Sequence, residues 1–342
     1  MSVEQYYSLT PEQQLEQLTN AAFASLAHWS LDGAQLELIK FRENAVFAVI
    51  TADKKMALRV HRLGYHSNAA LQSELQWMRA LTGSGITTPV VVPAQDGALF
   101  IEQALVGIAA MVQVDLFEWI EGEQLGSVEE GVTDTDGVSR SYYSIGELAA
   151  KVHNQSSGWQ LPPGFTRHAW DEHGLAGEEP LWGRFWEINH ATDQQRRLLI
   201  KGRDLVLKAL AELPKTRKDY GMIHADLVTE NVMVNDGAVK LIDFDDAGFG
   251  WHMFEIATAL YFIIDEPYYQ TAHDALLTGY RKHRKLSDEQ LEQLPLFFLA
   301  RAFTYVGWVH TRPETQTAIE MTSVLLEMAC QQAEEYLIKT AK

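Results

Sequence analysis

Apolar residues recur at helical spacing through residues 11–30, where Leu15, Leu18, Ala22, Leu26 and Trp29 fall on one face. Thr10 before Pro11 supplies an N-cap followed by a proline at the first helical position. After Asp32 and Gly33 the period changes to two. Residues 36–40, 45–51 and 56–62 predict three strands, with a loop over 41–44 and a turn at Lys54 and Lys55. Residues 67–81 return to helical spacing and turn Leu71, Leu75 and Met78 inward. Strand patterns resume at 88–92, 99–101 and 110–120. Together these predict a small antiparallel sheet of five strands with one inserted helix.

Beyond Gly122 the pattern is mostly helical. Residues 126–140 are polar, acidic and rich in turn formers, and predict an exposed loop. Residues 144–153 predict a helix with Ile145, Leu148, Ala149 and Val152 on its apolar face and a structural His153 at its end. Residues 165–186 carry Trp170, Trp182 and Trp186 among Gly174, Gly177, Pro180 and Gly183, which reads either as a wall of a ligand pocket or as satellite core. A long amphipathic helix is predicted over 191–213, a turn over 248–251, and helices over 253–264, 268–282, 287–310 and 313–339. Arg301, Tyr305 and Trp308 share one helical face. With Asp245, Asp246 and Glu255 they are candidates for a pocket, and the alternative is a buried aromatic stripe.

Candidate chemistry concentrates in residues 222–259. His224-x-Asp226 is followed by Asn231, then by an apolar stretch that delivers Asp243. Residues 232–234 and 239–242 predict a hairpin turning at Asn235, Asp236 and Gly237, residue types that tolerate positive φ. Such a hairpin brings Asn231 and Asp243 side by side. One carboxylate can then take a proton from an attacking hydroxyl, while an amide and a second carboxylate offer oxygens to magnesium on nucleotide phosphates. Arg59 in the third strand and Glu74 in the inserted helix can pair if the helix crosses that strand. Otherwise Arg59 faces solvent and Glu74 is a surface acid.

Composition sets the frame for this chemistry. A chain of 342 residues with 46% hydrophobic and 22% charged residues is a globular protein of two domains or lobes. No apolar run is long enough to span a bilayer, and the first residues lack the order of a signal peptide. Cys330 is the single cysteine, which excludes an intrachain disulfide and fits a cytoplasmic location. The formal charge of −18 disfavours nucleic-acid or acidic-membrane partners and favours a cationic small molecule.

The order Arg59, Glu74, FEWIEG over 117–122, HADLVTEN over 224–231 and IDFDD over 242–246 resembles the aminoglycoside phosphotransferase and choline kinase superfamily. Within it, IDFDDAGFGWHMFEIATAL is similar to the branch of homoserine kinase type II and a bacterial stress-response kinase. The match runs from about residue 35 to residue 310. The resemblance implies an α+β, protein-kinase-like fold: an N-terminal nucleotide-binding lobe over 1–117, a hinge over 118–122 and a C-terminal lobe over 123–342. It implies ATP and Mg2+ as cofactors, Asp226 as catalytic base, and Asn231 and Asp243 as metal ligands. Arg59, positioned by Glu74, becomes the phosphate-contacting cation, and backbone groups of Glu118 and Ile120 bind adenine. His224 is then a scaffold residue, and Glu255 stands where the family usually has an aspartate that braces the catalytic loop.

Departures from the protein-kinase pattern refine this expectation. The loop over 41–45 contains no glycine, the strand cation is Arg rather than Lys, Ala225 replaces the Arg of H-R-D, and Asp245 replaces the Gly of D-F-G. These fit an ATP-dependent kinase of a small hydroxyl compound, an amino alcohol, a homoserine-like compound or an aminoglycoside. The alternatives are a stress-response-type protein serine/threonine kinase and a non-catalytic nucleotide-binding module.

Overall fold

A short helix, α1 (Val3–Tyr7), precedes α2 (Pro11–Ser25). The second starts where Thr10 Oγ1 accepts the Gln13 amide while the Gln13 side chain accepts the Thr10 amide, a reciprocal capping box. It ends in a 3-10 turn over Leu26–Trp29, closed by Ser30 in the left-handed region at φ 55°. The computed structural model describes residues 3–127, 131–132, 136–235 and 238–340. They form two units, Met1–Glu121 with Leu161–Thr166, and Gly122–Gln160 with Arg167–Lys342.

In the first unit, β1 (Gln35–Phe41), β2 (Ala45–Ile50) and β3 (Lys55–Val60) are followed by α3 (Asn68–Gly83), β4 (Phe100–Ala104) and β5 (Met111–Glu118). The five strands form one sheet in the order β1-β2-β3-β5-β4, with antiparallel neighbours throughout. The strand expected at 88–92 is reduced to a single bridge between Val91 and Phe117. Pro89 and Pro93 bracket it and have no amide to extend a ladder. Side chains alternate across the sheet. Met56, Leu58 and Val60 with Val112, Val114 and Leu116 form one core with Leu18 and Ala22 of α2 and Leu26 of the 3-10 turn. Burying each large aliphatic side chain there contributes roughly 1.5–3 kcal/mol. Ala57, Arg59 and Asp115 point to the other face, where Glu74 of α3 meets Arg59.

The second unit opens with β6 (Glu123–Gln124), the paired β7 (Gly126–Ser127) and β8 (Gly131–Val132), and α4 (Val138–Gly158). The remainder of the loop expected over 126–140 lies partly outside the described residues. Next come β9 (Ala169–Trp170), α5 (Glu172–Ala176), α6 (Asp193–Glu212), β10 (Tyr220–Ile223), β11 (Val232–Asn235), β12 (Ala238–Leu241) and β13 (Gly248–Trp251). The expected hairpin is present, with Val232 opposite Leu241 and Asn235 opposite Ala238. Its turn residues Asp236 and Gly237 lie outside the described residues. β6 pairs with the other edge of β11.

Residues 248–251 form a strand rather than the expected turn, antiparallel to β10 and parallel to β9. Its glycines serve close packing, since a Cβ at Gly250 would lie 2.5 Å from Ile223 Cδ1. The chain then continues through α7 (His252–Tyr261), α8 (Tyr269–His283), α9 (Asp288–Leu291), α10 (Leu294–Thr311) and α11 (Gln316–Thr340). The single helix expected over 287–310 is broken, because Pro295 sits in the first turn of α10 and restarts the ladder. Among the described residues no helix is long and apolar enough to cross a membrane.

α4 and α8 touch backbone to backbone, for a Cβ at Gly146 would lie 2.0 Å from Leu276 O. Gly146→Val should therefore lower the unfolding free energy by at least about 1–3 kcal/mol, measured by urea denaturation. An unchanged midpoint would show that the two helices can separate without loss.

Candidate active site

β10 ends at Ile223 and releases a loop whose backbone is unusual. Ala225 has φ 66°, a left-handed conformation that a residue with a Cβ adopts only when its surroundings enforce it. Glu255 of α7 supplies the enforcement. Its Oε1 accepts the His224 amide at 2.8 Å and its Oε2 accepts the Ala225 amide at 2.7 Å. Burial pushes the Glu255 carboxyl up, opposed by His224 and by those two amides. His153 Nε2 is 3.7 Å from Glu255 Oε1, but burial holds His153 well below the usual histidine range, so the pair is not an ionic one. Glu255 is thus the brace expected at this position and not the pocket wall considered alongside it.

His224 ties two ends of the site together. Its Nε2–H donates to Ile242 O at 2.9 Å, and its Nδ1 accepts the Asp226 amide at 3.3 Å. The Asp226 carboxylate that follows is 22% exposed and held from two sides. Asn231, at the end of a 3-10 turn over Thr229–Asn231, donates Nδ2 to Asp226 Oδ2 at 2.7 Å and to Asp226 O at 2.9 Å. Arg301 of α10 donates Nη2 to Asp226 Oδ1 at 2.6 Å and Nη1 to Ala225 O at 3.1 Å.

Arg301 is fully buried beside the rings of Tyr305 at 4.2 Å and Trp182 at 4.9 Å, and its Nη2 also donates to Tyr305 Oη. Burial works against its charge, and Tyr305 and Asp226 more than offset that, so its pKa lies above the usual arginine value. Its Nε is buried without a partner among the described residues. A buried ion pair with an unsatisfied donor adds little to stability. What it does is fix the Asp226 carboxylate. Of the two readings of this face, a pocket or a buried aromatic stripe, Arg301 and Tyr305 follow the second: both are interior, and they support the loop from behind.

Ile242 N donates to Asn231 O at 3.0 Å, so Asp243 leaves the hairpin directly beside Asn231. Asp243 is exposed and has φ 62°. Because the Asn231 NH2 group is engaged by Asp226, the amide oxygen is the atom left to face a cation. That oxygen and the Asp243 carboxylate could together offer oxygen-only donors, which suit a hard divalent ion. The residues after Asp243 are pinned from below. Arg167 donates to the carbonyls of Asp245 and Ala247. Trp170 Nε1 donates to Asp246 O at 2.8 Å, and Trp182 Nε1 to Asp246 Oδ1 at 3.3 Å. Trp170 and Trp182 are core residues whose indole N–H groups hold this loop, and Trp186 stacks with Arg203 instead.

In the first unit, Arg59 Nη2 pairs with Glu74 Oε1 at 2.7 Å. Asp115, directly opposite Arg59 on β5, accepts Arg59 Nε at 3.1 Å and Nη2 at 2.7 Å. It also lies 2.9 Å from His61 Nε2. Burial pushes the Asp115 carboxyl up, and Arg59 and His61 outweigh it, so the carboxyl sits below its ordinary range. Glu118 ends β5, and its amide donates to Val90 O at 2.9 Å, which leaves its carbonyl as what it can offer a base. Ile120 follows just past the strand, and Trp119 between them lies under Lys55 Nζ at 3.7 Å.

A family model described as "Phosphotransferase enzyme family" matches residues 37–286. The chain belongs to the phosphotransferase enzyme family. The amicoumacin kinase of Bacillus subtilis (strain 168) is 23% identical to it over 310 residues, covering 88% of this chain and 87% of that protein. A microcompartment-associated aminopropanol kinase has a TM-score of 0.82 and 30% identity, covering 94% of this chain and 98% of that one. The amicoumacin kinase hAmiN in complex with AMP-PNP, Ca2+ and Ami has a TM-score of 0.75 at 19% identity, covering 96% of each chain. This member of the phosphotransferase enzyme family is an enzyme, a kinase with the α+β, protein-kinase-like fold.

Two partners escaped the sequence reading. Asp115 is a lone acid in the apolar run VQVDLF, and a charge in a buried strand must be paired, a signal that was present. Arg301 was visible only as one residue of an aromatic face, with nothing local to link it to Asp226. Glu255→Ala would strand two buried amides and should cost about 2–5 kcal/mol in urea unfolding, with a fall in turnover. Unaltered stability would mean that the loop is held by other contacts.

Proposed function

We propose that the chain transfers the γ-phosphoryl group of ATP, bound with Mg2+, to a hydroxyl of a small amine-bearing molecule, such as an amino alcohol. The observation that carries this reading is the Asp226 carboxylate, partly exposed yet fixed by Asn231 and Arg301, with Asn231 tied through its carbonyl to Ile242, the residue before Asp243. The acceptor oxygen forms a bond to the γ-phosphorus as the bond to the β–γ bridging oxygen breaks, and that electron pair leaves with ADP. The hydroxyl proton passes to the Asp226 carboxylate, which first orients the hydroxyl for in-line attack. Asn231 and Asp243 would hold the metal ion, which when bound neutralises charge on the nucleotide phosphates. Arg59, oriented by Glu74, is the phosphate-contacting cation, and the Glu118 carbonyl with the Ile120 backbone meets the adenine.

An amine on the acceptor fits two findings. The chain carries a formal charge of −18, and Asp246 adds a second, half-buried carboxylate whose field, like that of Asp226, reaches Arg301. Aminopropanol, named for the 30% identical kinase, has both the hydroxyl and the amine.

A screen of ATP consumption across hydroxylated amines, amino acids and sugars tests this directly, with Asp226→Asn as the control. Turnover should appear with amino alcohols. Asp226→Asn should lower kcat by about 10³-fold with nucleotide affinity almost unchanged. Full turnover in that variant would remove Asp226 from the role of base.

A further inference from the structure

The cation of β3 differs from the usual kinase lysine, and the structure carries a partner for that difference. A lysine ammonium can satisfy the helix carboxylate alone, as a point charge. Here Arg59 faces two carboxylates at once, Glu74 from α3 and Asp115 from β5, and all three side chains are buried. Asp115 takes Arg59 side-on, with Nε to Oδ1 and Nη2 to Oδ2, a two-point contact that only a guanidinium can make.

We propose that Asp115 is the positioning residue that fixes the plane of the Arg59 guanidinium, and that Asp115 and Arg59 act as a coupled pair in nucleotide binding. The register supports this, since Arg59 and Asp115 are direct cross-strand partners and His61, two residues along the same face, reaches the same Asp115 oxygen. A carboxylate fully buried at 115 within β5 is costly unless it meets a fixed cation. With a lysine in place of Arg59, Asp115 would lose its two-point partner while remaining fully buried. With an apolar residue in place of Asp115 as well, that lysine and Glu74 would suffice as a simple ion pair. The inference rests on Arg59 contacting the nucleotide, the reading given above.

The test is a double-mutant cycle of wild type, R59K, D115V and R59K/D115V, read as KM for ATP, KM for the acceptor, kcat and urea stability. Each single variant should raise the KM for ATP by about tenfold with little change in the acceptor KM, and the double variant should return to within about threefold of wild type. A merely structural role for Asp115 would move both KM values and kcat together. Multiplicative losses in the double variant, or a wild-type KM for ATP in R59K, would overturn the proposal. Where D115V does not fold, D115N and R59K/D115N carry the same comparison. If Arg59 does not touch the nucleotide at all, R59A keeps the wild-type KM for ATP while the stability cycle still shows coupling. That outcome separates failure of the nucleotide reading from failure of the pair.

Discussion

Two consecutive amides, those of His224 and Ala225, end on the two oxygens of one buried carboxylate, Glu255. Left-handed backbone at an alanine is costly, of order 1 kcal/mol or more, and persists only where something outside the loop imposes it. Glu255 does so by giving both amides a single acceptor that a regular strand continuation could not reach. Once Ala225 is turned, Asp226 leaves β10 at an angle that presents its carboxylate to Asn231 and Arg301. The chemistry of the loop therefore depends on a residue about thirty positions further on that touches neither reactant in the proposed reaction.

Arg301 completes the arrangement from the other side. Its guanidinium spans Ala225 O, Asp226 Oδ1 and Tyr305 Oη while stacked among aromatic rings, so it has little freedom to move. The indole groups of Trp170 and Trp182 play the matching role for the stretch after Asp243. Aromatic residues that the spacing offered as a pocket wall are instead the frame on which a polar loop is stretched. That frame explains how short, irregular segments can hold three oxygen-bearing side chains in place. Several of the loop's polar atoms meet partners anchored in helices, those of Glu255 in α7 and Arg301 in α10 among them.

What was legible in the sequence was local. The spacing from His224 to Asn231 fits inside one loop and a 3-10 turn, and the hairpin to Asp243 follows from two short apolar runs around turn residues. The Arg59–Glu74 pair was accessible because a strand and the next helix are neighbours in the chain. Illegible were contacts set by tertiary packing. Arg301 reaches Asp226 across 75 positions, and periodicity says only that α10 is apolar, since nearly its whole surface is buried. Gly248 and Gly250 read as turn formers when they serve the close approach of His168 and Ile223 within one sheet, because composition alone does not say why a Cβ is missing. Thr88 to Val92 had the composition of a strand, but prolines on either side left it too few donors.

The claim at the centre of this account is spatial: the loop braced by Glu255 and the hairpin that follows set one amide oxygen and one carboxylate side by side for a divalent ion. A crystal structure with AMP-PNP and Mn2+, using the anomalous signal of manganese, tests it most directly. The account predicts a manganese peak bonded to Asn231 Oδ1 and the Asp243 carboxylate at about 2.0–2.3 Å, the range for hard cations with oxygen ligands. A peak ligated by neither residue, with nucleotide present, would contradict it.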